Sequence, residues 1–133
     1  MEIHVCRDEQ EVMTKCRNIL KSYRELKGKA SRLLPYGQLE RGLNKQEEAT
    51  LRLSRYKEVK DTVKIIERCV DNCDTKNKIL LSQKYLGEQV YQQWKLAELS
   101  GYSESQYKKI MRTALLQFGE SYGFIDTTSM SQV

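Results

Sequence analysis

Residues that interrupt helices are scarce in this chain, whose 133 residues include one proline, Pro35, and only seven glycines. Sheet proteins with many turns use both residue types more often, so the scarcity favours long helices. Apolar residues make up 39% of the chain and charged residues 31%, a balance typical of a helical protein with a modest core. We therefore expect an all-α fold, built as one compact domain or as one small domain with a helical extension.

Two long helices are predicted in the N-terminal half. The first begins at Asp8 and is ended by Gly28 and the stretch Ser31–Gly37, which contains Pro35. The second runs from about Asn44, its N-cap, to Asp71. The first has apolar residues at steps of three and four, namely Val12, Met13, Cys16, Ile19, Leu20, Tyr23 and Leu26. The stripe of the second is Leu51, Tyr56, Val59, Val63, Ile66 and Val70. Its nearly heptad spacing predicts pairing with the first helix or with another chain.

Three shorter helices are predicted in the C-terminal half. The first is capped by Asp74 and closed by Gly87, the second spans about 89–100, and the third spans about 103–118. The acidic N-cap residue and the glycine at the helix end are the usual boundary signals.

These elements divide the chain into three parts. Residues 1–73 form a helical N-terminal region available for partner or oligomer contacts, and residues 74–125 form the functional domain. Residues 126–133 are polar and lack periodicity, which predicts a disordered tail. No apolar run approaches the roughly 18 residues of a membrane span, and the N-terminus lacks the features of a signal peptide. We therefore expect a cytoplasmic protein without membrane contacts.

The stretch from Trp94 to Leu116 carries the functional hypothesis. Ala97 is small where two helices would cross, Gly101 suits the left-handed conformation that ends a helix, and Ser103 is a good N-cap. A short turn joining two helices in this way predicts a helix-turn-helix over residues 93–118, which makes residues 74–125 a helix-turn-helix DNA-binding domain. Its predicted structural residues are Trp94, Ala97, Gly101, Tyr107, Ile110, Ala114 and Leu115.

The second helix of this unit would leave a polar and basic face outward. Glutamine can pair with adenine and lysine with guanine in the major groove of DNA. The predicted base-reading residues are Ser105, Gln106 and Lys109. The predicted phosphate contacts are Lys95, Ser103, Lys108 and Arg112. A lysine-rich face is equally typical of a helix that is merely solvated, and that alternative stays open.

The segment that follows Asp74 also resembles a known family of transcription proteins. Leu96-Ala97, Gly101-Tyr102-Ser103 and the later apolar positions through Leu115 resemble region 4 of bacterial sigma factors, the helix-turn-helix that reads the −35 promoter element. With the helix Ile79–Leu86 and Trp94 included, the chain resembles the ArpU family of phage transcriptional regulators. The resemblance implies a sigma region 4-like bundle, a role at phage late genes in a bacterial host, and contact with host RNA polymerase.

The distribution of charge leaves one difficulty for this interpretation. From Asp74 to the end, seven basic residues face six acidic ones, so this half is nearly neutral. Tight DNA binders usually neutralise several phosphates. The stretch Lys15–Arg32, with seven basic residues and one acidic residue, is the electrostatic footprint of a nucleic-acid binder. Either a homodimer or docking on RNA polymerase would compensate for weak binding by one copy.

Several other classes are disfavoured or stay open. A single histidine, His4, and the lack of a phosphate-cradling glycine loop or a catalytic triad argue against an enzyme with catalytic residues, a cofactor or a small-molecule substrate. The spacing of Cys6, Cys16, Cys69 and Cys73 favours reduced thiols over a metal site. The open alternatives are a phage DNA-packaging recognition protein, like a small terminase subunit, and a factor that binds only RNA polymerase or sigma.

Overall fold

The computed structural model of this protein describes residues 8–33 and 45–124, with side chains in the second range described from Thr50 onward. Every regular element within these ranges is helical, which confirms the predicted all-α class. The elements are α1 (Glu9–Lys21), α2 (Tyr23–Arg32), α3 (Lys45–Asp71), α4 (Thr75–Leu81), a π-helical turn (Ser82–Leu86), α5 (Gln93–Ser100) and α6 (Glu104–Tyr122). None of the helices in these ranges carries an apolar stretch long enough to cross a membrane.

The predicted first helix is two helices, separated at Ser22. Asp8 caps α1 as predicted, with its carboxylate accepting a hydrogen bond from the backbone N–H of Glu11 at 2.8 Å. The hydroxyl of Ser22 donates to the carbonyl oxygen of Ile19 at 2.6 Å, and this local bond competes with the helical pattern. Gly28 lies inside α2, so its predicted part in ending the helix is wrong, but α2 ends at Arg32, within the stretch Ser31–Gly37 that was also predicted to end it. One glycine costs a helix only about 1 kcal/mol, which the packed face of α2 outweighs.

Helix α3 has the predicted extent but packs along only part of its stripe. Val63, Ile66 and Val70 are buried, whereas Leu51 near the other end is 57% exposed. The packed part pairs with α2, and the hydroxyl of Tyr23 donates to the carboxylate of Glu67 between the two helices. The predicted pairing with the first helix is therefore confirmed for the C-terminal part of α3. Asn44, its predicted cap, lies outside the described residues.

The start of α4 is joined directly to α6. Asp74 is the N-cap residue of α4, as predicted, but its carboxylate does not cap the helix. It accepts a hydrogen bond from the amide of Gln117 at 3.0 Å, while the amide oxygen of Gln117 accepts from the Asp74 backbone at 2.8 Å and from Asn77 at 2.9 Å. Asp74 therefore positions two helices rather than only starting one.

The π-helical turn and the chain after it are held by one side chain of α2. The Arg24 guanidinium donates to the carbonyl oxygens of Gly87, Lys84 and Gln89, at 2.7, 3.0 and 3.2 Å. These bonds hold the chain after Gly87 out of helical geometry, and α5 begins only at Gln93. The predicted start of this helix at about residue 89 is wrong for this reason, whereas its predicted end at Ser100 is confirmed.

All helices contribute to one hydrophobic core. Its buried side chains come from α1, α2 and α3 as well as from α4, the π-helical turn, α5 and α6, so the core crosses the predicted boundary between residues 73 and 74. Helix α1 crosses α6 at Gly119, where an added Cβ would lie 2.8 Å from Val12 and 2.9 Å from Cys16. Helix α6 runs to Tyr122, past the predicted end at Phe118, and the predicted tail 126–133 lies outside the described residues.

Candidate nucleic-acid interface

Helices α5 and α6 form a two-helix unit, called here the α5–α6 unit, with a turn of defined geometry. Gly101 ends α5 in the left-handed conformation, with φ 82°, as the sequence predicts. The backbone N–H of Gly101 donates to the carbonyl oxygen of Glu98, and the backbone N–H of Tyr102 donates to the carbonyl oxygen of Ala97. These are the paired hydrogen bonds of a Schellman motif. Ser103 then caps α6. Backbone groups at the end of α5 and at the start of α6 therefore have hydrogen-bond partners within the turn. These bonds fix the angle between the two helices.

Most of the predicted structural residues of this unit lie in the core. Ala97, Tyr107, Ala114 and Leu115 are at most 2% exposed, and Ile110 packs against them at the edge. Burial raises the pKa of Tyr107 to about 12, with a smaller contribution from the neighbouring Tyr85. The phenol therefore stays neutral and acts as a core side chain.

Trp94 is the exception among these residues, because its side chain is 55% exposed. The inward face of α5 is set by Leu96 and Ala97, both buried. Successive residues of an α-helix are about 100° apart around its axis, so the middle of the inward face lies roughly 110° around the axis from Trp94. The Trp94 side chain therefore points away from the core. The prediction of Trp94 as a core residue is wrong, and its ring instead carries the Lys95 ammonium at 6.0 Å from its centroid.

The first half of α6 presents an exposed, largely basic arc. Ser105, Lys108, Lys109 and Arg112 are all exposed. Successive residues are about 100° apart around the helix axis. Lys109 therefore lies opposite the buried face of α6, in the middle of the arc, with Ser105 beside it. Lys108 and Arg112 form the edge nearest α1. Lys108 and Lys109 have no ion pair with any described residue, so their charges are available to an external partner.

Two of the residues predicted to contact DNA, Ser103 and Gln106, instead form the N-terminal cap of α6. The Ser103 hydroxyl accepts a hydrogen bond from the backbone N–H of Gln106 at 3.1 Å, and the Gln106 amide oxygen accepts one from the backbone N–H of Ser103, also at 3.1 Å. This capping box leaves only the amide nitrogen of Gln106 for other contacts. A bidentate contact with adenine needs both atoms, so Gln106 reaches that geometry only if the box opens.

Two further predicted phosphate contacts already have carboxylate partners. The Arg112 guanidinium pairs with Glu9 at the start of α1, and the Lys95 ammonium pairs with Glu98 at 3.3 Å. All four side chains are more than 40% exposed, so these pairs contribute little to stability. Exchange of either carboxylate for a phosphate would therefore require little free energy.

A groove beside α6 contains basic residues that were not predicted to contribute to the site. It has a volume of about 330 Å³ and is lined by Arg17 and Lys84 together with Lys108 and Arg112. Burial lowers the pKa of Lys84, and the charges of Arg17 and Lys21 lower it further. The basic stretch of the sequence pointed to Arg17, but no sequence signal brings α1 next to the π-helical turn.

The cysteines offer little for metal binding. Among the residues that the structure describes, no three side chains of the types that bind metals gather in one place. Burial raises the pKa of Cys73 to about 11, which disfavours the thiolate that zinc requires. Cys6 and His4 lie outside the described residues.

The comparisons with known proteins leave the site to be judged by its own geometry. The chain matches no protein-family model, no curated protein and no solved structure.

Proposed function

We propose that this protein is a sequence-specific DNA-binding transcriptional regulator in which the α5–α6 unit acts as a helix-turn-helix of the sigma region 4 type. The observation that carries the proposal is the environment of α6. Its second half packs into the core through Ala114, Leu115 and Phe118, whereas its capped first half presents Ser105, Lys108 and Lys109 to solvent. An α-helix with its side chains is about 10–12 Å wide, and the major groove of B-DNA is about 12 Å wide. The exposed half of α6 therefore has a size and charge suited to that groove.

Each exposed residue has a distinct proposed role. Lys109, in the middle of the arc, and Ser105 beside it read base edges, where lysine is a donor to guanine. Lys108 at the edge of the arc contacts a phosphate, and Arg112 does so when it releases Glu9. Ser103 keeps its role as the helix cap, and Gln106 contributes its amide nitrogen. Lys95, on α5, contacts a phosphate from the other helix of the unit when it releases Glu98.

The resemblance to ArpU-family proteins supports a role at late phage promoters, with host RNA polymerase as partner. The α5 side of the molecule also exposes apolar side chains, among them Val90 at 77%, Trp94, and Leu99 at 48%. Leu99 lines a shallow groove together with Ile79, which is also 48% exposed, and exposed apolar residues that share a surface are typical of protein contact sites. The same observation favours a second candidate function, a factor that binds RNA polymerase or sigma without binding DNA.

Dimerisation remains part of the proposal because one α6 carries few free charges. The N-terminal part of α3 exposes Leu51 and Leu53, whereas its C-terminal part is packed within the chain. A dimer formed through the exposed part would supply a second α6 for a half-site about one turn, or roughly 34 Å, away. A closed ring of more copies would instead favour the DNA-packaging role.

The deciding experiment is selection of bound sequences from random duplex DNA by the purified protein, with and without bacterial RNA polymerase. We expect an enriched motif with the protein alone or with polymerase. A motif seen only with polymerase would define an accessory factor of the sigma type. If neither selection enriches a motif, the DNA-reading proposal is wrong and the protein-only function is favoured.

Variants of α6 test which residues read bases. Lys109→Ala should weaken binding to the selected site by about 1–3 kcal/mol and relax its sequence preference. Lys108→Ala should weaken binding to all duplexes alike, since a phosphate contact carries no sequence information. Lys64→Ala, at an exposed position on the part of α3 that packs within the chain, is the control and should leave affinity unchanged. Equal losses for Lys109→Ala on the selected site and on random DNA would contradict the base-reading role.

A further inference from the structure

The groove beside α6 gathers basic side chains from three separate parts of the chain. Arg17 comes from α1, Lys84 from the π-helical turn, and Lys108 and Arg112 from α6. The remaining lining residues are Met13, Gln93, Met111 and Leu115. Residues 17 and 108 are far apart in sequence, so only the packing of α1 against α6 creates this surface.

The charges in the groove are not balanced from within it. None of the described lining residues is acidic, and the nearby carboxylate of Glu9 is paired with Arg112. Lys84 is half-buried, and its lowered pKa reflects that burial first and the charges of Arg17 and Lys21 second. Like charges held together in a partly buried site lower the stability of the free protein. Such an arrangement is typical of a site that receives an anion.

The position of the groove relates it to the exposed arc of α6. Lys108 and Arg112 line the groove and also form the edge of that arc. A helix lying in the major groove has a sugar-phosphate backbone on each side, because the helix nearly fills the groove width. The sugar-phosphate backbone of the DNA strand on the α1 side of the helix would therefore pass over Lys108 toward Lys84 and Arg17. Gln93, the first residue of α5, brings the positive end of that helix to the same place.

We propose that this groove binds backbone phosphates of the DNA strand that flanks α6, and that α1 and the π-helical turn are therefore part of the DNA-binding surface. The inference rests on the proposed DNA-binding function. The planar guanidinium of Arg17 suits a bidentate contact with one phosphate, and the Lys84 ammonium provides a point charge beside it. Arg17 thus adds positive charge from the N-terminal half to that of Lys84, Lys108 and Arg112.

The test uses the full chain with Arg17→Gln, Lys84→Gln and the double variant. For each variant, affinity for a duplex carrying the selected site and for a random duplex is measured over a range of salt concentrations. We expect the slope of log affinity against log salt to decrease by about one for each substitution and by about two for the double variant. The loss should be the same on both duplexes. Lys64→Gln, at an exposed position on α3 outside the groove, is the matched control.

A second measurement separates a phosphate contact from a structural role. Without DNA, Lys84→Gln should raise the melting temperature, because it removes a half-buried charge from beside Arg17 and Lys21. A structural lysine would give the opposite shift. Unchanged salt slopes together with a lower melting temperature would overturn the inference. In that case, a loss of sequence preference in Lys109→Ala would show that the proposed function itself still stands. If the wild-type chain binds no duplex with or without polymerase, both fail.

Discussion

The two halves of α6 belong to one continuous helix but lie in different surroundings. From Glu104 to Arg112 most side chains are exposed, and the helix is held by its capping box and by Tyr107 and Met111 on its inner side. From Thr113 to Tyr122 the helix lies against α1, α3 and α4, with Phe118 fully buried and Gly119 in contact with α1. The difference between the halves is therefore tertiary packing, since both have regular helical geometry.

This difference shows how a small helical protein can present a rigid exposed surface. The buried half fixes the direction of the helix axis, and a helix transmits that direction to its exposed half. The exposed half is then ordered before any partner binds, so binding loses less conformational entropy. Stability and recognition should consequently depend on different residues of the same helix, and substitutions can test that separation.

The largest effect is expected in the buried half. Phe118→Ala removes a fully buried ring that stacks on Tyr122 with 5.5 Å between centroids, and should lower the free energy of unfolding by about 3–5 kcal/mol. Lys109→Ala, in the exposed half, should stay within about 0.5 kcal/mol of the wild type. Urea denaturation followed by circular dichroism measures both. A comparable loss in Lys109→Ala would mean that the exposed half is also packed.

A smaller effect is expected where α6 meets α1. Gly119→Ala places a Cβ less than 3 Å from the buried side chains of Val12 and Cys16, and should destabilise the protein by about 1–3 kcal/mol. Gly28→Ala is the matched control, since it lies within α2 and meets only the flexible end of Arg32 at 3.3 Å. It should stabilise by about 0.5–1 kcal/mol through helix propensity. If both substitutions stabilise in thermal and urea unfolding, the crossing is looser than described.

The smallest effect concerns the exposed end of α6. Ser103→Ala removes the capping hydroxyl and should destabilise the protein by about 1 kcal/mol. The backbone N–H of residue 103 is retained in alanine and still donates to the Gln106 amide oxygen, so affinity for an adenine-containing site should change no more than stability does. Ser105→Ala, two residues on and outside the capping box, should be nearly neutral in unfolding experiments. A neutral Ser103→Ala would show that solvent caps this helix equally well.

Helix spacing and local signals predicted much of the fold. The apolar stripes identified the buried faces of α1 and of the C-terminal part of α3, and Gly101 and Ser103 identified the turn before α6. These features depend on neighbours within a few residues, which a sequence displays directly.

Features created by tertiary contacts were not predicted. Arg24 holds Gln89 out of the predicted helix through a contact between residues 65 positions apart. Trp94 was predicted to be a structural residue of the helix-turn-helix, but its position around α5 leaves its side chain 55% exposed. Gln106 was predicted to read bases, whereas its amide oxygen binds the helix cap. The groove with Arg17 and Lys84 depends on how α1 packs, which its own periodicity does not specify.

The shared core has a practical consequence for anyone who wishes to isolate the α5–α6 unit. A fragment beginning at residue 74 would lose Arg24, which anchors the chain ahead of α5, and would lose the partners of Gly119 on α1. Its newly exposed surface would include Phe118 and other side chains that the N-terminal helices help to bury. We expect such a fragment to aggregate. Mapping of binding by truncation would then report misfolding, and point substitutions in the intact chain are the suitable approach.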